Sequence, residues 1–144
     1  MTVLSDVEIE RCLRDGSLVL NPFDPSSLNG AGYDLRSESD VSISPGRSRL
    51  VATLERVELG ENLAGTLHIR SSLARVGIIA SLALVDPGFR GQLTISLYNG
   101  GPEQFVMRGG DRFVQIVLHQ LDTRTQRSYR GRYQDSKGVV ERRA

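Results

Sequence analysis

From Gly16 onward the sequence has no sustained helical periodicity; it breaks into short runs rich in Val, Ile, Leu, Thr and Tyr, separated by turn signals. The runs are LVATLERVEL (50–59), LAGTLHIR (63–70), GIIASLALV (77–85), QLTISLYN (92–99), QFVM (104–107) and RFVQIVLHQL (112–121). Ser-Pro-Gly at 44–46, Pro-Gly at 87–88, Gly-Gly-Pro at 100–102 and Gly-Gly-Asp at 109–111 stand between them. Many short strands at close spacing predict an all-β barrel or sandwich. One helix precedes them in LSDVEIERCLRDG, where Ser5 and Glu8 have capping-box spacing, Leu4 and Ile9 can form a hydrophobic staple, and Gly16 is placed to end the helix. The intervening LVLNPFDPSSLNGAGYDL (18–35) reads as a loop region.

The 144 residues predict a single domain, and a chain of this size buries about 68–70% of the surface its unfolded form exposes, without disulfides. Cys12 is the only cysteine, which excludes an intrachain disulfide and a cysteine-based zinc site, and the signature of the zinc deaminases is absent. No run of eighteen or more apolar residues occurs, and the first ten residues lack the basic start and apolar centre of a signal peptide. A soluble, cytoplasmic protein with no membrane association is the expectation. Residues 1–121 hold 11 basic and 14 acidic side chains, whereas 122–144 hold 7 basic and 3 acidic. This basic C-terminal segment suits an anionic partner, a phosphorylated ligand or nucleic acid, or is a solvated end.

Four stretches hold chemistry-bearing residues. NGAGYDLR (29–36) places Asp34 after two glycines and is equally a tight turn into a strand. IRSSLAR (69–75) gathers Arg70, Ser71, Ser72 and Arg75, a set suited to phosphate and also to a plain helix cap. ALVDPGFRGQ (83–92) sets Asp86 before Pro-Gly, as a turn acid or as a carboxylate that activates water. Finally, Gln115 interrupts an apolar strand, and the tail alternates arginine with Tyr129 and Tyr133.

In their order and spacing, AGYDLR, RSSLAR, VDPGFRGQLTISLYN, GDRFVQ and YRGRYQ resemble the family of dCTP deaminases and dUTP diphosphatases, across nearly the whole chain. That resemblance implies a distorted jelly-roll β-barrel and a homotrimer with active sites shared between subunits. Deaminases of this family carry a glutamate in the strand after Asp-Pro-Gly; here the matching position is Ser96, and a hydroxyl cannot carry protons as a carboxylate does near neutral pH. GIIASLALVD is also shorter than its deaminase counterpart. Both departures are similar to the archaeal-type dUTP diphosphatases (dUTPases).

The resemblance assigns roles residue by residue. Asp86 would deprotonate the water that attacks the α-phosphate. Arg70, Ser71, Ser72, Arg75 and Gln115 would hold the phosphates. Tyr129, Arg132, Tyr133 and Gln134 would close over them, although Ser136 and Lys137 depart from the family pattern. The backbone of the strand through Ile79, Ala80, Ser81, Leu82, Ala83 and Leu84 would read the uracil edge and exclude the 2′-hydroxyl of ribose. Asp34 would support Mg²⁺ through water, the ion being held mainly by substrate phosphates. The implied reaction is dUTP + H₂O → dUMP + diphosphate, which supplies dUMP and keeps uracil out of DNA. A bifunctional deaminase-diphosphatase, a non-catalytic deoxynucleotide-binding module and, more weakly, nucleic-acid binding by the tail are the alternatives.

Overall fold

The computed structural model describes residues 2–143. In chain order the elements are β1 (Thr2–Val3), α1 (Asp6–Asp15), β2 (Leu18–Asn21), β3 (Leu28–Asn29), β4 (Gly32–Arg36), β5 (Val41–Ile43), β6 (Ser48–Leu59), β7 (Leu63–Ile69), α2 (Ser71–Ala74), β8 (Ile78–Ser81), β9 (Arg90–Asn99), β10 (Phe105–Met107) and β11 (Arg112–Gln120). All six runs read as strands contain one. The run 77–85 keeps strand geometry only through Ser81, beyond which the chain turns away toward Asp86.

The strands form three antiparallel sheets. β11 is central to the first, with β7 along one edge, β4 and β1 sharing the other, and β3 beyond β4. The second runs β2-β6-β9-β8, and β5 pairs with β10 in the third. Isolated bridges, Ser37 to Thr53 and Gly65 to Val85, link the two larger sheets. The jelly-roll class expected from the sequence is therefore present, but as an open, distorted form with no continuous ring of hydrogen bonds.

Two local expectations are corrected. Residues 18–35 are not a loop: they form β2, a 3₁₀ turn at Pro25–Ser27, β3 and β4. These elements are short, and β4 is buried along Gly32 to Leu35, so no alternation of polar and apolar residues marks it. At the first helix, Ser5 makes no side-chain cap and Glu8 turns instead to Arg11, 2.8 Å away. The Asp6 carboxylate accepts from the Val7 amide at 2.9 Å, so an acid one residue later serves the exposed N–H groups of the first turn. The rest of that prediction holds: Leu4 and Ile9 are both buried, and Gly16 ends α1 at φ 82°.

One core joins the sheets and the helix. Ile9 and Cys12 of α1 meet Val51 and Val57 of β6, Ile95 and Leu97 of β9, and Ile116 and Leu118 of β11. Each large aliphatic side chain so buried contributes about 1.5–3 kcal/mol. Glu55 lies fully buried at the edge of this core. Its Oε1 accepts from the Tyr33 hydroxyl at 3.2 Å and from Arg36 Nε at 2.7 Å, and its Oε2 from the Arg36 amide at 2.9 Å. The network ties β4 to β6, and burial, with the Glu55 charge adding to it, raises the Tyr33 hydroxyl pKa.

Candidate active site

Asp86 stands at the first position of a turn closed by the Phe89 amide donating to the Asp86 carbonyl at 3.1 Å. Pro87 presets the second position and Gly88, at φ 84°, takes the left-handed third. The turn is held from several sides. Val85 exchanges two backbone bonds with Gly65, Gly88 N–H donates to the Leu59 carbonyl, and Pro87 O accepts from the Tyr129 amide at 2.8 Å. The backbone is fixed, whereas the carboxylate is exposed and has no hydrogen-bond or ion-pair partner among the described residues. A rigidly mounted, unengaged carboxylate is suited to accepting a proton.

That carboxylate borders a cavity of about 360 Å³. Ser81, Ala83, Leu84 and Ser96 line one side, and Tyr129, Tyr133, Val140 and Arg142 of the tail line the other. Among the described residues Asp86 is the only carboxylate on its walls and Arg142 the only cation. Of the residues expected to read the base, Ser81, Ala83 and Leu84 reach this cavity, while Ile79, Ala80 and Leu82 do not. Ile79 lies opposite Tyr98 on the edge strand, and both are exposed.

The tail reaches the cavity by folding back on its own chain. Gln92 N–H donates to the Ser136 carbonyl at 2.9 Å, Gly138 N–H to Gln92 Oε1 at 2.7 Å, and Val140 N–H to Thr94 Oγ1 at 3.0 Å. Gln134 is spent on this docking: its Oε1 accepts from the Arg90 amide at 2.8 Å and its Nε2 donates to the Gly88 carbonyl at 2.9 Å. Arg132 donates to the Arg143 carbonyl at 2.9 Å. Of the four tail residues expected to close over phosphates, only Tyr129 and Tyr133 therefore face the Asp86 cavity. Two carboxylates brace the segment. Asp135 has its pKa lowered by its hydrogen bond from Arg56, and Glu61 has its lowered by Ser128 and then by Arg124.

Gly88 couples the turn to the tail, since a Cβ there would lie 2.9 Å from Ser128 Cβ and 3.1 Å from the Tyr129 amide nitrogen. Gly88→Ala combines that collision with a left-handed backbone, a strain of about 1–3 kcal/mol. The variant is expected to melt earlier and to lose its Arg124–Arg132 bonds to trypsin faster than wild type. Unchanged digestion would show that the tail does not rest on this turn.

The residues expected to hold phosphates sit elsewhere. Arg70, Ser72 and Arg75 border a second cavity of about 1030 Å³, together with Arg112 and the carboxylates of Glu103 and Asp111. Ser71 and Gln115 lie outside it. Arg70 is oriented by Asp34, a nearly buried residue whose Oδ2 is 3.1 Å from Arg70 Nε, and by the Arg112 carbonyl at 3.4 Å. Gln115 is the cross-strand partner of Asp34, and its side chain lies over Gly32, where a Cβ would be 2.7 Å from Gln115 Nε2. No residue borders both cavities. Within one chain the Asp86 half and the arginine half are separate surfaces.

Sequence reasoning missed Arg112, Val140 and Arg142. The last two sit in the terminal run VVERRA, which reads like any solvated basic end; Arg112 lies within the GDRFVQ motif but has no distinguishing neighbour there. Among the described residues no group of three or more His, Cys, Asp or Glu side chains could hold a metal ion. No helix is long and apolar enough to cross a membrane.

A dCTP deaminase from Thermococcus gammatolerans is 40% identical over 153 residues, covering 96% of this chain and 94% of the relative. A dUMP-forming dCTP deaminase from Methanopyrus kandleri is 34% identical, covering 90% of this chain and 87% of its own. Among solved structures, the 2′-deoxycytidine 5′-triphosphate deaminase of Agrobacterium tumefaciens superposes with a TM-score of 0.71 at 17% identity, over 81% of this chain. This chain spans about half of that protein's length, 47%. A dUTPase from phage phi11 of S. aureus, whose structure concerns coordination of a structural Mg(II) ion, superposes with a TM-score of 0.62 at 17% identity, over 81% of this chain and 98% of its own. The profile of the dCTP deaminase-like family matches residues 37–121, and the chain belongs to that family.

Proposed function

We propose that the protein is a dUTP diphosphatase, hydrolysing dUTP to dUMP and diphosphate. The observation that carries this reading is the composition of the Asp86 cavity: one carboxylate among the described residues, with Ser96 on the strand where the deaminases that the sequence resembles place a glutamate. Deamination of cytosine needs a group that moves protons at the ring, and among the described residues no second carboxylate, histidine, cysteine or lysine lines these walls. Hydrolysis needs a single base. Asp86 takes a proton from water, the water oxygen bonds to the α-phosphorus, the bridging bond to the β-phosphate breaks, and diphosphate leaves with the bonding pair.

Arg70, Ser72 and Arg75 are suited to stabilising the charge that develops on the phosphates, with Ser71 and Gln115 in support. Asp34 sets the direction of Arg70. These groups lie on a different surface from Asp86, which supports a homotrimer in which one copy supplies Asp86 and another the arginines. The residues also fit Mg²⁺ carried mainly by substrate: Asp34 Oδ1 has no partner among the described residues and would act through water, and a dense protein ligand set is not needed. Such an ion, when bound, supplies charge neutralisation and geometric order to the triphosphate. The lone buried cysteine suits the reducing cytoplasm, where we place the reaction.

The names of the relatives favour a second reading, dCTP deamination with or without hydrolysis. Incubating purified protein with dUTP and Mg²⁺ and identifying the products decides between function and mere binding. Equimolar dUMP and diphosphate are expected. Retention of dUTP with no diphosphate released would make the protein a binding module and overturn the proposal.

A further inference from the structure

We infer that the outer face of the first sheet carries a transition-metal site, in which His68 and His119 together bind one imidazole-seeking divalent ion such as Zn²⁺ or Cu²⁺. They are the only two histidines of the sequence, and they lie on different strands. The fold brings both to one hydroxyl: Thr66 Oγ1 is 2.9 Å from His119 Nε2 and 3.2 Å from His68 Nε2. Neither ring borders the Asp86 cavity or the arginine cavity.

The ladder fixes this meeting point. β7 and β11 are paired without interruption from Leu63 opposite Gln120 to Ile69 opposite Val114. Alternation sends Leu63, Leu67, Ile116 and Leu118 into the core, and so turns Thr66, His68 and His119 to the other face. His68 is exposed and His119 partly exposed, which leaves the rings open to an ion from solvent.

Proton accounting shows that both rings can serve as ligands. A hydroxyl has one proton, so Thr66 donates to one ring and accepts from the other, and the two neutral rings hold their protons on different nitrogens. Metal binding needs a bare nitrogen on each. Neither Nδ1 has a hydrogen-bond partner among the described residues, so each can carry the proton while Nε2 faces the ion. The only protein contact given up is the one to Thr66.

The surroundings select the class of ion. The residues directly opposite are neutral: Gln115 across from His68, Val117 from Thr66, and Ala64 and Val3 from His119. Asp34, opposite Gln115 on β4, is engaged by Arg70. Two imidazoles without a carboxylate suit Zn²⁺, Cu²⁺ or Ni²⁺, whereas Mg²⁺ requires oxygen ligands. Two protein ligands leave the remaining positions to water, so binding is reversible and weaker than in a closed four-ligand site. Because the ligands come from both strands of the ladder, the ion binds the folded chain and stabilises it.

The test uses the full chain without a histidine tag. Zn²⁺ is expected to bind at one ion per chain in calorimetry, and to raise the melting midpoint by about 5–10 °C when free ion stands about a hundredfold above Kd. Mg²⁺ should not displace it. The electron paramagnetic resonance spectrum of bound Cu²⁺ should show coupling to two imidazole nitrogens. His68→Ala and His119→Ala should each weaken Zn²⁺ binding by more than about tenfold. Thr66→Val keeps both rings and removes only the hydroxyl, which is not a customary zinc ligand, so its affinity should stay within about tenfold of wild type. No saturable binding, binding that neither histidine variant weakens, or coupling to a single nitrogen overturns the inference. Loss of binding in Thr66→Val as complete as in the histidine variants would make the three residues a hydrogen-bond relay and overturn it too. None of these readouts involves a nucleotide, so they are decided apart from the hydrolytic reading.

Discussion

Asp86→Asn is expected to lower kcat for dUTP by about 10²–10⁴-fold, the usual contribution of a positioned general base. Binding of a non-hydrolysable dUTP analogue should change little. Asparagine keeps the shape and the turn: Pro87, Gly88 and the bond from Phe89 to the Asp86 carbonyl do not depend on the carboxylate. Because the carboxylate has no partner among the described residues, its removal leaves no counter-charge stranded, and thermal stability should match wild type. A variant that turns over dUTP at near wild-type rate would require another base, and the cavity offers none among the described residues. A variant that loses analogue binding as completely as turnover would make Asp86 a binding residue.

The same aspartate shows how far the sequence could be read. Asp-Pro-Gly specifies a turn by local chemistry alone, and the structure builds that turn from Asp86, Pro87 and Gly88. What makes the carboxylate interesting is its isolation. Isolation is a property of what fails to approach it, and no local pattern encodes that. Likewise, Arg70, Ser72 and Arg75 were legible as a phosphate-seeking set, but their separation from Asp86 depends on how the sheets stack. Gln134 misled for the opposite reason. An amide in a basic, tyrosine-rich tail looks free to contact a ligand, yet it is held by backbone groups of Gly88 and Arg90 across the Asp86 turn.

The strands divide along similar lines. β6, β9 and β11 are long and rich in β-branched residues, so alternation and turn signals located them. β2 to β4 are too short, and β4 too evenly buried, to carry a period. Glu55 lay between these cases. Along β6 the buried positions Val51, Thr53, Val57 and Leu59 share one parity, and Glu55 falls on it, whereas Arg56 and Glu58 fall on the other. Period-two reading therefore places a carboxylate among inward-facing residues. An acid there requires partners, although the sequence does not say that Tyr33 and Arg36 of a distant strand provide them.

Glu55→Ala should accordingly be the most destabilising single substitution of a charged residue in the chain. It leaves a buried tyrosine hydroxyl and the Arg36 amide without their acceptor and takes the nearer carboxylate from a mostly buried guanidinium, which keeps only Asp24 at 3.7 Å and the Pro22 carbonyl. Removing one member of a buried ion pair costs about 3–5 kcal/mol, a large share of the roughly 5–15 kcal/mol that holds a domain folded. At about 2–4 °C per kcal/mol for chains of this general size, the midpoint should fall by about 6–20 °C. Glu58→Ala, three residues on, is the control. It breaks a pair with Arg56 of similar length, 3.1 Å, but both side chains are about one-third exposed, so the cost should stay within about 1 kcal/mol. A double-mutant cycle pairing Glu55→Ala with Arg36→Met separates the lost contact from the stranded charge. The double variant should recover part of the loss, because the guanidinium that lost its nearer carboxylate is then gone too. Equal melting of the Glu55 and Glu58 variants would mean that β4 is held by its ladder to β11 alone, and Asp34, with the Arg70 it orients, would owe its position to that ladder.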